Sequence, residues 1–470
     1  MNAMFPSLGE AYYLLEWAIR LVMLVIVPLR RPPAAATSWL LLILFLPLPG
    51  LALFLAIGRP SFPAWRVARF ADLAPFFVVI AEQLRIAAPL PRDSRRRTAE
   101  LAERLGGLPA TGGNAIELIG DYDTVIERLV ADIDAARLHV RILAYIFADD
   151  ATGQRVIAAL GRAAARGVAC HVLVDPVGGH RWIKGTLRRL AEAGVEARET
   201  LPFHWLRGRT RRDMRNHRKL FLIDGAIGYA GSQNIVDKDF RPGVTNRELV
   251  ARIEGPAVAE LTAVFVADWY LETEKLLDPQ PAIAPPAGDA ELQVLPSGAN
   301  YPLSGFLTLL VWQVDRAERE VTIVTPYLVP DEGLLAALRT AVLRGVEVRI
   351  VVSAVVDQWF VNLAQASYYD ELLSAGVRIH RYRDYLLHAK NIRIDGRLGI
   401  VGSSNVDIRS FQLNEEVSLL LLDPASVEHL RAVQEGYFAH SDPVIPEQWR
   451  RRGRLRRLAE NFARLVSPLL

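Results

Sequence analysis

Residues 217–234 read HRKLFLIDGAIGYAGSQN, and residues 388–405 read HAKNIRIDGRLGIVGSSN. Each stretch carries a His, a Lys two places on, an Asp after four intervening residues, a Gly-Ser after six more, and an Asn. The first copy holds His217, Lys219, Asp224, Ser232 and Asn234; the second holds His388, Lys390, Asp395, Ser403 and Asn405. One isolated His-x-Lys carries little information. Two copies with every polar member at the same spacing carry a great deal. His and Lys at i and i+2 of a strand project from one face. Residues 220–223 and 391–394 continue those strands, and Asp-Gly at 224–225 and 395–396 is a hairpin-turn signal. The chain returns through 226–230 and 397–401, which sets Gly-Ser-x-Asn beside the His-Lys pair. Glycine there permits close backbone approach.

The duplication extends outward from these motifs. Residues 140–146 (VRILAYI) resemble 321–329 (VTIVTPYLV), with Tyr145 and Tyr327 in step. Arg166-Gly167-Val168 answers Arg344-Gly345-Val346, ahead of strands 169–174 (ACHVLV) and 347–352 (EVRIVV). Ala193-Gly194-Val195 answers Ala375-Gly376-Val377. Partners stand 171 to 182 residues apart, the mark of an internal repeat. Strand, helix, strand, helix, repeated, is an α/β pattern. The expectation is two similar α/β domains, 116–285 and 286–445, packed face to face with pseudo-twofold symmetry. The Pro- and Ala-rich stretch 279–288 (PQPAIAPPAG) joins them.

The chain has 470 residues, enough for two or three domains, and is 51% hydrophobic, which excludes a disordered protein. A single cysteine, Cys170, excludes an intrachain disulfide framework and a Cys-based zinc cluster. A net charge of +3 permits an anionic partner without demanding one. Residues 39–57 (WLLLILFLPLPGLALFLAI) are nineteen in a row without a charge. Residues 12–29 form an earlier apolar stretch in which Glu16 and Arg20 can pair. Residues 1–60 are therefore expected to form a two-helix transmembrane hairpin, turning at Arg30, Arg31, Pro32 and Pro33. A cleaved signal peptide, with 34–36 as its cleavage site, is the alternative. No Lys or Arg precedes Arg20, however, and a second apolar segment follows directly. Arg59, Arg66 and Arg69 lean the large C-terminal part toward the cytoplasm. Residues 61–115 read as a linker, with 71–90 apolar enough to lie on a membrane surface and a basic run at 92–97. Residues 446–470 form a basic amphipathic tail, suited to an anionic membrane or to packing on the domain.

Two lysines and neutral polar donors suit an anion with several oxygens, a phosphate. Two histidines suit one nucleophile and one general acid. No carboxylate or cysteine cluster is available for a catalytic metal, so neither metal nor cofactor is expected and the lysines supply the charge. A carboxylate should fix each imidazole's tautomer. The candidates are Glu248 and Glu416, 31 and 28 residues after their respective His, with Glu415 as the alternative to Glu416. Asp224 and Asp395 are either catalytic or purely structural at their turns. Arg211, Arg212, Arg215 and Arg218 are candidates to attract anionic headgroups.

These residues resemble the paired HxKxxxxD signature of the phospholipase D superfamily, and the likeness extends toward bacterial cardiolipin synthases. It is carried further by the hairpin ending Ile57-Gly58-Arg59, by Thr325-Pro326-Tyr327 followed by Pro330-Asp331-Glu332-Gly333, and by residues 405–414 (NVDIRSFQLN) leading to Glu416. The resemblance implies two phospholipase D-like domains, His217 as nucleophile, His388 as acid, and Lys219, Lys390, Asn234 and Asn405 as phosphate-binding residues supported by Ser232 and Ser403. Asp237-Lys-Asp239-Phe240 departs from Asp407-Ile-Arg409-Ser-Phe411, and the first-half loop before Glu248 is three residues longer. The implied reaction passes a phosphatidyl group from one phosphatidylglycerol, through phosphohistidine, to another, releasing glycerol. The implied location is the cell inner membrane, multi-pass, with cytoplasmic catalytic domains. Other readings are a membrane phospholipase D or phosphodiesterase using water or another alcohol, and a membrane scaffold with a decayed site. A nuclease would not need the anchor, so no nucleic-acid partner is expected.

Overall fold

The computed structural model describes residues 7–31, 33–58, 61–90, 96–202 and 213–467. Arg59, Arg211, Arg212, Pro32, most of the basic run at 92–97 and the last three residues of the tail lie outside them.

Each half builds the same strand order. In the first half, Glu196–Glu199, Ala169–Val174 and His139–Ala144 run parallel, followed antiparallel by Leu220–Ile223, Ile227–Gly231, Val250–Glu254 and Thr111–Ile119. In the second, Arg378–Tyr382, Glu347–Ser353, Glu320–Val324, Asn391–Ile394, Leu398–Gly402, Glu416–Leu421 and Ala290–Ser297 repeat that order, with Ser441–Pro443 added at the edge. The halves are not merely packed face to face. Thr111–Ile119 pairs antiparallel with Ala290–Ser297, so the two sheets fuse into one of fifteen strands. The strand that makes this seam starts at Thr111, inside the expected linker. The described remainder of that linker carries three helices (Ala64–Ala71, Ala74–Ala87, Arg96–Gly106), which pack on the body.

Local chemistry explains why both halves fold alike. Helices Ala151–Ala165 and Glu332–Leu343 begin at Asp150 and Asp331, whose carboxylates accept from Gly153 N at 2.9 Å and Leu334 N at 2.8 Å. Both end at the repeated Arg-Gly-Val. Gly167 and Gly345 each take φ +89°, a left-handed cap, and the chain turns into the next strand. Strands Ala169–Val174 and Glu347–Ser353 bury most of their side chains, with Val172 and Ile350 on the face these helices cover and Leu173 and Val351 on the other.

Helix Leu8–Arg30 has 23 residues, about 35 Å at 1.5 Å per residue, and is long and apolar enough to cross a membrane. Leu14, Leu21, Val25 and Leu29 face outward, and Glu16 and Arg20 pair at 3.2 Å as expected. This exposed apolar helix associates the chain with a membrane. The second limb differs from expectation. Residues 39–57 are not one helix: Pro33–Phe45 and Pro47–Ile57 fold against each other across Leu46. The Trp39 and Phe54 rings lie 5.2 Å apart, whereas a straight helix would separate them by about 22 Å. Pro47 and Pro49 offer no N–H to the preceding turn, and Gly50 lets the second helix touch Ile43. At 13 and 11 residues neither piece reaches across a hydrocarbon core of about 30 Å. The tail helix Arg454–Val466 packs on Trp359–Ala375 and meets this region, Ser38 Oγ donating to Leu465 O at 2.8 Å. Its Leu455, Leu458 and Phe462 remain exposed.

Candidate active site

The two His-x-Lys segments approach the seam from opposite sides, and each is held by the other half. Asn216 pairs with Glu415, and His217 N donates to Glu415 O at 2.8 Å. Leu386–Leu387 pairs with Asn246–Arg247, and His388 N donates to Arg247 O at 2.8 Å. His217 and His388 thereby line one cavity of about 310 Å³, together with Tyr145, Asn234, Arg241, Tyr327, Asn405 and Arg409.

This exchange decides the carboxylate partners. His217 Nδ1 donates to Glu416 at 2.9 Å, and His388 Nδ1 donates to Glu248 at 2.8 Å. Each imidazole is oriented by the glutamate of the other half, not by the one that follows it in its own motif. Glu416 also accepts from Ser403 Oγ and, at 2.9 Å, from Ser410 Oγ. Ser232 Oγ bridges to Leu249, accepting from its N at 3.0 Å. Glu415, the alternative, turns away from the imidazole to bind Arg218 at 2.8 Å. Burial pushes Glu248 and Glu416 up, but the facing His and Lys charges outweigh it and hold both below the usual range. An ionised carboxylate only accepts, so the proton of each neutral ring sits on Nδ1 and Nε2 keeps its lone pair.

Lys219 and Lys390 are 1% and 3% exposed, and each donates to the carbonyl of its own histidine, Lys219 at 2.6 Å. Burial pulls Lys219 down to about 7, with the Lys390 charge adding to it, and burial pulls Lys390 down to about 8. Burial also lowers His217 and brings His388 to about 4. Two lysines and two imidazoles converging on one cavity suit it to receive an anion, whose charge would favour their protonated forms. Asn234 Oδ1 accepts from Ile146 N at 3.1 Å, which leaves its amide N–H groups for the cavity. The glycines before Ser232 and Ser403 are required. A Cβ on Gly231 would stand 2.4 Å from Leu249 O, and one on Gly402 would stand 2.3 Å from Val417 O.

The two aspartates belong elsewhere, correcting the catalytic assignment. Seven residues from the histidine is about 20 Å along a strand. Asp224 accepts from the N–H groups of Arg137, Leu138 and His139 at 2.7–2.9 Å. Asp395 accepts from those of Glu318, Arg319 and Glu320 at 2.8–3.0 Å. Both sit at positive φ in the two-residue turn and pin the start of the neighbouring strand. Asp224→Ala is expected to cost about 1–3 kcal/mol of stability, since three backbone donors at the start of the neighbouring strand lose their shared acceptor. Chemical denaturation should show that loss, while the turnover of the remaining folded protein stays at the wild-type value.

Arg215 and Arg218, expected to draw headgroups, are buried structural cations. Arg215 binds Asp175 at 2.9 Å, and Arg218 binds Asp268 and Glu415. Sequence reasoning missed Ser410, Arg241 and the cavity role of the two tyrosines. The tyrosines were visible as repeat partners: Tyr145 lies edge-on to His217 at 4.8 Å, and Tyr327 occupies the matching wall.

Residues 129–269 and 310–436 match the family model described as "Cardiolipin synthase, PLD-like domain", once in each half. The chain is 36% identical over 456 residues to Cardiolipin synthase A of Pectobacterium carotovorum subsp. carotovorum (strain PC1), covering 94% of both chains. It is 35% identical to Cardiolipin synthase A of Serratia proteamaculans (strain 568), again over 94% of each. Among solved structures, phosphatidylserine synthase of Haemophilus influenzae Rd KW20 superposes with a TM-score of 0.61 at 14% identity. That match covers 81% of this chain and all of the other, a likeness of fold. With both halves of the family model matched and the twin His-Lys motifs closing on one cavity, the chain belongs to the cardiolipin synthase family of phospholipase D-like phosphatidyltransferases.

Proposed function

We propose that this enzyme joins two phosphatidylglycerol molecules into cardiolipin, with His217 carrying the phosphatidyl group between them. The observation that supports the reading is the crossed pair of His–Glu contacts around one lysine-lined cavity. Lys219, Lys390, Asn234 and Asn405 hold the non-bridging oxygens of the first lipid's phosphate. His217 Nε2 attacks phosphorus, and the P–O bond to the glycerol headgroup breaks. His388, protonated in the presence of the bound anion, gives its proton to the departing oxygen. His388 then takes the proton from a hydroxyl of the second phosphatidylglycerol. That oxygen forms the new P–O bond, the P–N bond breaks, and the cycle closes with His217 neutral and His388 protonated, as at the start. Full-length enzyme in vesicles containing labelled phosphatidylglycerol is expected to release cardiolipin and glycerol in equal amounts. Phosphatidic acid as the sole lipid product would instead make it a hydrolase.

The bent second limb bears on orientation. Because residues 33–57 turn back at Leu46, only helix Leu8–Arg30 crosses, and Arg30, Arg31, Arg66 and Arg69 all fall on the side of the catalytic halves. The positive-inside rule then places those halves in the cytoplasm, at the inner membrane. In intact spheroplasts, a membrane-impermeant thiol reagent should modify a cysteine placed at Leu8 and spare one placed at Arg30. The reverse pattern would invert the topology.

A further inference from the structure

The proposed reaction ends in a product with two phosphates joined by a three-carbon bridge, yet the His-Lys centre accounts for only one. Resting on that reading, we infer that Arg241 is the binding residue for the phosphate of the second, accepting lipid. Phosphorus bonded to His217 Nε2 is displaced in line, so the incoming oxygen approaches from the opposite side, where His388 takes its proton. The rest of the acceptor, including its own phosphate, extends beyond His388. Arg241 lies on that wall: its loop runs into Asn246–Arg247, which pairs with Leu386–Leu387 just before His388, and Arg241 and His388 line the same cavity. The guanidinium is aimed by Asp357, whose side chain is 2% exposed and is itself held by Tyr327 Oη at 2.7 Å. Arg241 stays 37% exposed in a cavity wall, with donors left for a phosphate. It also sits in the first-half loop that is three residues longer than its repeat counterpart, seven residues after Asn234, whereas the second half's arginine on the cavity wall, Arg409, stands four after Asn405. The pocket is thus asymmetric where a donor and an acceptor must differ.

Two reactions of one enzyme preparation separate this role from general damage. Exchange of labelled glycerol into phosphatidylglycerol uses the same His217 and His388 steps but an acceptor without phosphate. Cardiolipin formation uses an acceptor with one. In vesicles of phosphatidylglycerol and phosphatidylcholine, Arg241→Ala is expected to lower the ratio of cardiolipin formed to glycerol exchanged by about 10–100-fold, the worth of one charge-assisted bidentate contact. Raising the phosphatidylglycerol fraction should partly restore it, and Arg241→Lys should fall between. A ratio equal to wild type, with both rates intact or both reduced together, overturns the assignment. If Arg241→Ala loses both reactions, Arg241→Lys decides by the same ratio. Wild-type enzyme that makes no cardiolipin would reject the proposed function itself, a separate outcome.

Discussion

His217→Ala is expected to abolish transfer, by at least about 10,000-fold, and to abolish the covalent intermediate with it. The trap is direct: enzyme mixed with phosphorus-labelled phosphatidylglycerol and quenched in alkali, where a phosphorus–nitrogen bond survives, should retain label only when His217 is present. His388→Ala should behave differently. With the natural lipid, its loss removes leaving-group protonation and costs about 100–10,000-fold. With an activated diester whose leaving group departs as a stable anion, the same variant should lose only about tenfold and still label. The two imidazoles share one cavity and near-identical surroundings, each with Nδ1 tied to a glutamate and Nε2 free. Only the order of events separates them. Label on His217→Ala together with none on His388→Ala would exchange the roles.

That near-symmetry is why so much of the site was legible in the sequence. Duplication repeats each spacing, and the spacing of strand, Asp-Gly turn and return strand has one geometric solution. His217, Lys219, His388, Lys390 and the two Gly-Ser-x-Asn returns stand where that solution puts them. Strand alternation, however, fixes the face of a side chain and not its partner across a pseudo-twofold axis. Glu248 and Glu416 were found, but their exchange between halves was not, because it depends on the short pairings Leu386–Leu387 with Asn246–Arg247 and Asn216 with Glu415. The fused sheet was hidden for the same reason: nothing in Thr111–Ile119 names Ala290–Ser297 as its neighbour. In the membrane segment the apolar run of 39–57 is plain in the sequence, while the bend carried by Pro47, Pro49 and Gly50 depends on packing against Ile43 that hydropathy does not show. Arg215 and Arg218 were misread because their carboxylate partners, Asp175, Asp268 and Glu415, are remote in sequence.

The crossed pairing yields the second large effect. Glu416→Gln, although it lies in the second half, should disable the nucleophile of the first. The amide oxygen can still accept from His217 Nδ1, but the negative charge that steadies a positive, phosphorylated imidazole is gone, at a cost of about 100–1,000-fold. Lys219 loses a compensating charge as well, since Glu416 is the largest favourable influence on its ammonium. Covalent labelling by the activated diester should therefore fall with Glu416→Gln. Glu248→Gln should spare most of that labelling and slow the natural reaction, because of the two imidazoles it holds His388 and not His217. Pairing within each half would reverse this result: Glu248→Gln would lose the label and Glu416→Gln would keep it. The same geometry makes neither half an enzyme alone, since residues 116–285 hold His217 without its carboxylate and residues 286–445 hold Glu416 without its histidine. Mixing a chain carrying His217→Ala with one carrying Glu416→Gln should restore nothing, because both lesions fall on one His–Glu pair that each chain must complete for itself.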